Sequence, residues 1–229
     1  MENISAEELR KKIYTDWKER CLYLRGKGLS KVPEAVFDLT ELEELNLLVN
    51  YLKELPTSIN KLKNLKTLIL HSNQLRELPH SICELSNLTW LRVDKNQLSV
   101  LPSNIKHLKN LRGLVLSYNQ LTTLSDEIGE LKELRGLYVS NNKLTVLSSH
   151  IKHLSKLLRL DLNDNQLTTL PDEIGELKEL VGLRVAGNPL TLEEMRKVVK
   201  LQNKMEFDTD VTGKDMKCSL FVFHFMSCE

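Results

Sequence analysis

The histidines of this chain are the residues whose side chains could bind a metal ion. His107 and His153 each follow an Ile-Lys pair, and His150 lies three residues before His153. A metal site needs three or four ligands that converge on one point. The corresponding positions in the neighbouring stretches of chain hold glutamates such as Glu84 and Glu130, which indicates an exposed row of alternating charge. We therefore expect no metal ion and no other cofactor.

The cysteines are the residues that could act as nucleophiles. Cys218 and Cys228 lie near His224 in the sequence, but a catalytic thiol also needs a shaped pocket around itself and its base. A short terminal segment is a poor source of such a pocket. The sequence has no glycine-rich phosphate-binding loop and no Cys-x-x-Cys pair. These observations predict that the protein is not an enzyme.

The balance of charge argues against a nucleic-acid partner. The chain has 32 basic and 31 acidic side chains and a formal net charge of +1, whereas nucleic-acid-binding domains normally have a strong basic excess. The first residues lack the apolar core of a signal peptide, and no apolar run reaches the roughly 20 residues of a membrane-spanning helix. We expect a cytoplasmic monomer with no membrane span.

A unit of 23 residues repeats along most of the chain, with the pattern L-x-x-L-x-L-x-x-N-x-L-x-x-L-P-x-x-I-x-x-L-x-x. Alternation of leucine with polar residues at the start of each unit predicts a half-buried strand. A fixed period of this length is typical of a solenoid, in which stacked units share one core. The first leucine of the unit recurs at Leu42, Leu65, Leu88, Leu111, Leu134, Leu157 and Leu180.

The asparagine of the unit recurs with the same period. Its side chain has both a donor and an acceptor, so we expect it to bridge adjacent turns and to satisfy backbone groups that the sharp turn after the strand leaves buried. The asparagines are Asn50, Asn73, Asn96, Asn119, Asn142, Asn165 and Asn188.

These units resemble the leucine-rich repeat family in its 23-residue form, whose intracellular members include ras-suppressor-like and Scribble-like proteins. The resemblance covers about residues 19–190 and implies an α/β fold, a right-handed solenoid whose concave face is a parallel sheet. Secreted members of the family usually have cysteine-clustered caps. Cysteines as scattered as Cys21 and Cys83 do not form such caps, which favours an intracellular protein with reduced thiols.

The two ends of the repeat region predict helical caps. Ser5 and Glu8 have the spacing of a capping box, and Leu9, Ile13 and Trp17 fall on one helical face. Thr191 and Glu194 repeat the capping-box spacing after the last unit, and the order of the tail beyond that helix stays open. The expected segments are an N-terminal capping helix at 1–18, eight repeats at 19–190 of which the first and last are atypical, a C-terminal capping helix at 191–205, and a tail at 206–229.

The third and fifth positions of each unit should point outward from the concave sheet. Neighbouring strands lie about 4.8 Å apart, so residues at these positions in successive units should touch. Aromatic and arginine side chains are frequent at binding hot spots, and Gly113 and Gly136 would leave room for a partner to approach. The predicted contact residues are Ile69, Trp90, Arg92, Val115 and Tyr138, together with Tyr118 just after the strand and a charged flank of Arg159, Asp161 and Arg184.

The sequence therefore predicts a protein-interaction module, or signalling scaffold, that binds a protein partner on its concave face. The alternative is a regulatory subunit of an enzyme complex in a phosphatase or small-GTPase pathway, with the tail completing a site on another chain.

Overall fold

The alternating leucines form short strands that make one continuous sheet. The computed structural model describes residues 5–16 and 19–207, and its nine strands follow one another across the sheet in chain order. The strands are β1 (Ile13–Asp16), β2 (Glu19–Tyr23), β3 (Glu44–Asn46), β4 (Thr67–Ile69), β5 (Trp90–Arg92), β6 (Gly113–Val115), β7 (Gly136–Tyr138), β8 (Arg159–Asp161) and β9 (Gly182–Arg184).

The sheet repeats with the period of the sequence. Strands β2 to β9 are parallel, and each pairs with the residues 23 positions further along, as Leu68 does with Leu91. Parallel connections of this kind are almost always right-handed. The predicted fold, a right-handed solenoid with a concave parallel sheet, is confirmed.

The side of each repeat opposite the strand is a short 3-10 helix. The apolar residues there recur at steps of three and four, and a proline or serine precedes each helix in an extended conformation that opens the turn. The seven 3-10 helices are Glu34–Asp38, Thr57–Lys61, His80–Glu84, Ser103–His107, Asp126–Glu130, Ser149–His153 and Asp172–Glu176.

A single core of leucine, isoleucine and valine runs the length of the repeats. Leu68, Leu91 and Leu114, which stand at the same position of successive repeats, are each 0% exposed and belong to one cluster of buried side chains. Each buried leucine contributes about 1.5–3 kcal/mol through loss of contact with water. Because neighbours share this core, removing one repeat would expose the faces of two others.

The recurring asparagines form a buried ladder along one edge of the core. In Asn119, Nδ2 donates to the carbonyl oxygens of Val93 and Leu116 at 3.0 and 2.9 Å, and Oδ1 accepts from the backbone N–H of Leu98 at 2.9 Å. Asn96 makes the same set of bonds one repeat earlier. The side chain therefore bridges adjacent turns.

The residue at position eight of each repeat has a left-handed backbone conformation; it directly precedes the asparagine, or Lys27 in the first repeat. We call this set the left-handed column: Gly26, Val49, Ser72, Lys95, Tyr118, Asn141, Asp164 and Gly187, whose φ values lie between 52° and 73°. Six of the eight are not glycine, although this conformation costs an ordinary residue about 1–2 kcal/mol. Val49 is β-branched and should be the most strained. The repeat geometry thus imposes a turn that the local residue types alone would not select.

The N-terminal segment differs from the expected helix at 1–18. The capping box is present, since Ser5 Oγ accepts from the backbone N–H of Glu8 and the Glu8 carboxylate accepts from that of Ser5. However, the helix α1 spans only Ala6–Arg10, and the chain then forms the strand β1, antiparallel to β2.

Two physical reasons explain this correction. Ile13, Tyr14 and Thr15 are residue types that favour strands, and the outer edge of β2 would otherwise present unpaired backbone groups. Leu9 is fully buried and joins the core, so α1 covers part of the first repeat. Trp17, the third residue of the predicted apolar face, lies outside the described residues.

A longer helix, α2 (Leu192–Phe207), follows the last repeat. Val198 is buried against the core, Glu194 accepts from the backbone N–H of Leu170, and Gln202 donates to the carbonyl oxygen of Leu183. These contacts cover the end of the last repeat. Residues 208–229, which hold most of the predicted tail, lie outside the described part of the chain.

Candidate protein-binding surface

Positions three and five of the repeats lie side by side on the concave face. The register pairs Arg92 with Val115, Val115 with Tyr138, and Tyr138 with Asp161. Asp161 is in turn paired with Arg184. The structure thus brings most of the predicted contact residues into one neighbourhood, and their role in binding a partner remains a prediction.

Trp90 lies flat against the backbone of the next strand. A Cβ atom placed on Gly113 would overlap the six-membered ring of Trp90, at Cε3 and Cζ3. The expectation that Gly113 leaves room for a partner is therefore wrong, because the space above this glycine is filled by the protein's own tryptophan. The contact fixes one ring face against the sheet and leaves Trp90 half-buried.

Two more glycines are covered in the same way. The ring of Tyr138 lies over Gly136, where a Cβ would meet Cε2 at 2.8 Å. The Arg159 side chain crosses Gly182, with a corresponding distance of 3.6 Å to its Cγ. We define the aromatic patch as Trp90, Val115, Tyr118 and Tyr138. Because two of its rings pack directly on glycines, the patch is held in place before any partner binds.

Ile69 does not belong to the exposed surface. It is 2% exposed, although position five of the repeat predicted an outward-facing contact residue. Its register partner is Arg92, which lies on the strand that follows. Ile69 is therefore covered by its neighbours and is removed from the set of candidate contact residues.

Tyr118 is the most accessible member of the aromatic patch. It is 53% exposed and belongs to the left-handed column. The ammonium of Lys95, one repeat earlier in the same column, lies 5.9 Å from the centre of its ring, within range of a cation–π interaction. A large ring on a fixed backbone, beside a cation, is well suited to contact another polypeptide.

A cluster of charged residues beside the patch was not anticipated. Asp94 accepts from Arg92 Nε at 2.8 Å and lies 2.5 Å from His71 Nδ1. The Asp94 side chain is 8% exposed and that of Arg92 17% exposed. The signal was present, because His71 and Asp94 occupy the same position of successive repeats and Arg92 lies two residues from Asp94. This cluster holds the Arg92 guanidinium in one orientation.

Burial raises the pKa of the Asp94 carboxyl, but the hydrogen bonds from His71 and Arg92 lower it more, so that pKa lies below its ordinary value. The ionised form is therefore the one that the folded protein stabilises. This ionised form contributes stability above the unfolded-state pKa of about 3.9. The contribution is lost as the pH falls through the folded-state pKa.

Asp94→Asn should therefore destabilise the protein more at neutral pH than in acid. We expect a loss of about 1–3 kcal/mol at neutral pH, because a charged hydrogen-bonded group is replaced by a neutral one. The measurement is urea denaturation of both proteins at neutral pH and again below the ordinary pKa of aspartate. Asp38→Asn is the control, since Asp38 is exposed and lies 3.9 Å from Lys61. A loss for Asp94→Asn that stays the same across this pH range would contradict the assignment.

The described residues contain no cluster of metal ligands and no helix that could span a membrane. Within residues 5–16 and 19–207, no group of three or more His, Cys, Asp or Glu side chains is placed to hold a metal ion. The row of charge predicted around His107 and His153 is arranged differently, because Glu130 pairs with Lys109 and Lys132, at 3.7 Å each. Within the same ranges no helix has the length and apolar character that crossing a bilayer requires.

Comparison with known proteins agrees with the geometry. The family profile described as leucine-rich repeat region matches residues 20–143 and 102–220, which is most of the chain. The chain belongs to the leucine-rich repeat family. Leucine-rich repeat domains generally mediate protein–protein interaction and are mostly non-enzymatic. None of the curated proteins matches the chain.

Solved structures with the same fold include two plant receptors. One is the ectodomain of the membrane receptor kinase GASSHO1/SCHENGEN3 from Arabidopsis thaliana, in complex with CASPARIAN STRIP INTEGRITY FACTOR 2, with 33% identity over 70% of this chain and a TM-score of 0.66. The other is the plant peptide hormone receptor RGFR1 in complex with RGF2, with 30% identity over 78% of this chain and a TM-score of 0.68. This chain covers 20% and 33% of those two chains, so it spans a third of their length or less.

A bacterial structure shows the fold alone. Internalin C2 from Listeria monocytogenes is 24% identical over 75% of this leucine-rich repeat chain, which covers 73% of the internalin, with a TM-score of 0.65.

Proposed function

We propose that this leucine-rich repeat protein is a non-enzymatic, cytoplasmic interaction module that binds a protein partner on its concave face. The single observation that supports this most is the aromatic patch, two of whose rings lie directly on glycines, beside an arginine held by Asp94. Aromatic and arginine side chains are enriched at binding hot spots, and preorganised side chains lower the entropic cost of binding.

The similar receptors favour a polypeptide partner. Both plant structures are complexes with a second polypeptide, and each is at least 30% identical to this chain. A parallel sheet that curves around its ligand offers a rigid surface, in which the contact residues change and the core residues do not. A signalling scaffold is the specific role we propose for such a surface.

Substitution of the patch tests the proposal. Trp90→Ala/Tyr138→Ala should lose at least one protein that wild type captures from a cell lysate, because the variant removes two seated rings and leaves the core leucines in place. The matched control is Val100→Ala/Val146→Ala, which truncates two exposed side chains outside the strands. Both variants must unfold at the wild-type temperature for a comparison of captured proteins to be valid.

The outcomes separate the possible roles. Equal capture by wild type and the patch variant would remove the concave face as the binding surface. Capture of a catalytic protein whose activity then depends on this chain would favour the alternative, a regulatory subunit.

A further inference from the structure

We propose that the concave face binds an acidic, extended segment of its partner, and that Arg112, Arg135, Arg159 and Arg184 pair with carboxylates of that segment. We call these four residues the arginine row. The inference rests on the proposed function, because it assigns the chemistry of the partner that the aromatic patch would bind.

Arginines are concentrated at the strands of the last five repeats, either at the outward-facing positions three and five or at position two, directly before the strand. The chain has ten arginines, and five of them stand at positions two to five of five consecutive repeats, one in each. No lysine occupies these positions in the same repeats, although the chain has more lysines than arginines. The residues are Arg92 and the four of the arginine row.

The four members of the arginine row differ from Arg92 in having no carboxylate of their own. Arg92 is paired with Asp94. Among the described residues, no acidic side chain lies within ion-pair distance of Arg112, Arg135, Arg159 or Arg184, and three of the four are exposed. Four guanidinium groups without an ion-pair partner in the described part of the chain attract a ligand of opposite charge.

The carboxylate of Glu133 lies near two of these arginines but is hydrogen-bonded to Lys156. Lys156 donates to Glu133 at 2.6 Å, and this hydrogen bond lowers the pKa of the Glu133 carboxyl, with further lowering by the charges of Arg112 and Arg135. Arg112 and Glu133 also line an open groove of about 360 Å³ at the start of the strands. The groove, which Glu43 and Lys66 also line, gives a peptide chain room beside Arg112.

The geometry favours carboxylates of a peptide over a phosphate backbone. A guanidinium group binds a carboxylate through two parallel hydrogen bonds, which a lysine cannot do. Asp161 lies in register with Arg184, and Asp164 is exposed in the same repeat as Asp161. These two carboxylates would repel a continuous polyanion, whereas a peptide can place its acidic side chains between them.

The size of the row sets the length of the ligand. The arginines belong to the repeats of β6 to β9, which at about 4.8 Å between strands span roughly 14 Å. An extended peptide covers this distance with about four or five residues. The aromatic patch borders the row on β5 to β7, so an apolar residue next to the acidic segment would contact Trp90 or Tyr138.

Peptide selection with three immobilised proteins tests the inference. The baits are wild type, Arg159→Glu/Arg184→Glu, and the control Lys152→Glu/Lys178→Glu, which makes the same charge change away from the strands. The probe is a phage-displayed library of random peptides. We expect wild type and the lysine control to enrich peptides rich in Asp and Glu, and the arginine variant to lose this enrichment.

A selected acidic peptide then gives a quantitative measure. By fluorescence anisotropy its affinity should fall about tenfold or more for Arg159→Glu/Arg184→Glu, and it should weaken for wild type as salt screens the charges. The inference would be overturned if wild type enriched peptides with no excess of Asp and Glu. It would also be overturned if the arginine variant enriched the same acidic peptides as wild type. An oligothymidylate that competes with the peptide at equal affinity would also overturn it, by showing a general polyanion site.

The two proposals fail separately. In one outcome, Trp90→Ala/Tyr138→Ala no longer captures a natural partner, but the peptide selection enriches neutral peptides. The concave face would then remain the proposed binding surface, and only the acidic chemistry of the ligand would be rejected. Unchanged capture by the patch variant would instead count against the proposed function itself.

Discussion

Replacing Asn119 by alanine is expected to lower the free energy of unfolding by about 3–5 kcal/mol. The side chain satisfies the carbonyl oxygens of Val93 and Leu116 and the backbone N–H of Leu98. All three groups are buried with Asn119, which is 8% exposed. An unsatisfied buried polar group costs about 1–3 kcal/mol, and the alanine side chain can make none of the three bonds.

Asn188 provides the matched control. It makes the same bonds, to Leu162, Val185 and Leu167, but it lies in the last repeat and is only half-buried. Water can reach the groups that Asn188→Ala would expose, so we expect a loss of about 1 kcal/mol. Urea denaturation followed by circular dichroism measures both variants. Equal losses would mean that burial does not determine the contribution of this ladder.

Gly113→Ala should remove partner binding without unfolding the protein. The new Cβ would occupy the position of the Trp90 ring, and a side chain can move aside at a lower cost than the backbone can. The sheet and its core leucines should therefore stay folded, while the Trp90 ring is displaced from its position in the aromatic patch. Displacement of a hot-spot residue costs about 2 kcal/mol or more, so affinity for the captured partner should fall at least about thirtyfold.

Trp90 itself reports whether this displacement occurs. In a Trp17→Phe background Trp90 is the only tryptophan, and its emission should shift to longer wavelength when the ring enters water. Gly182→Ala is the control, because its Cβ would meet Arg159 Cγ at an ordinary 3.6 Å. Unchanged emission and unchanged affinity in Gly113→Ala would show that the ring does not depend on this glycine.

The sequence could predict the parts of this protein that repeat. The leucines at position four and the asparagines at position nine face the same surroundings in each unit, so their period specifies strand register, core and ladder together. The capping box at Ser5 was also visible, because it depends on residues three positions apart. Here the sequence pattern and the local physical chemistry point to the same structure.

The parts that could not be predicted depend on which neighbouring residues an individual side chain packs against. Gly113 could have left space for a partner or for Trp90, and only the orientation of the tryptophan ring decides between these. Ile69 stands at an outward-facing position but is covered in the folded protein. The strand at Ile13 arises because the first repeat has an edge to cover, which a helical pattern read from the segment alone does not show.

The left-handed column affects how this surface can diversify. The backbone at Tyr118 is imposed by the turns on either side and by the neighbouring Asn119, and the same conformation accepts Val, Ser, Lys, Asn, Asp and Gly in other repeats. The identity of the side chain is thus decoupled from the conformation that presents it. Successive substitutions there can alter which molecule is recognised while foldability is preserved, so new specificities can arise in single mutational steps.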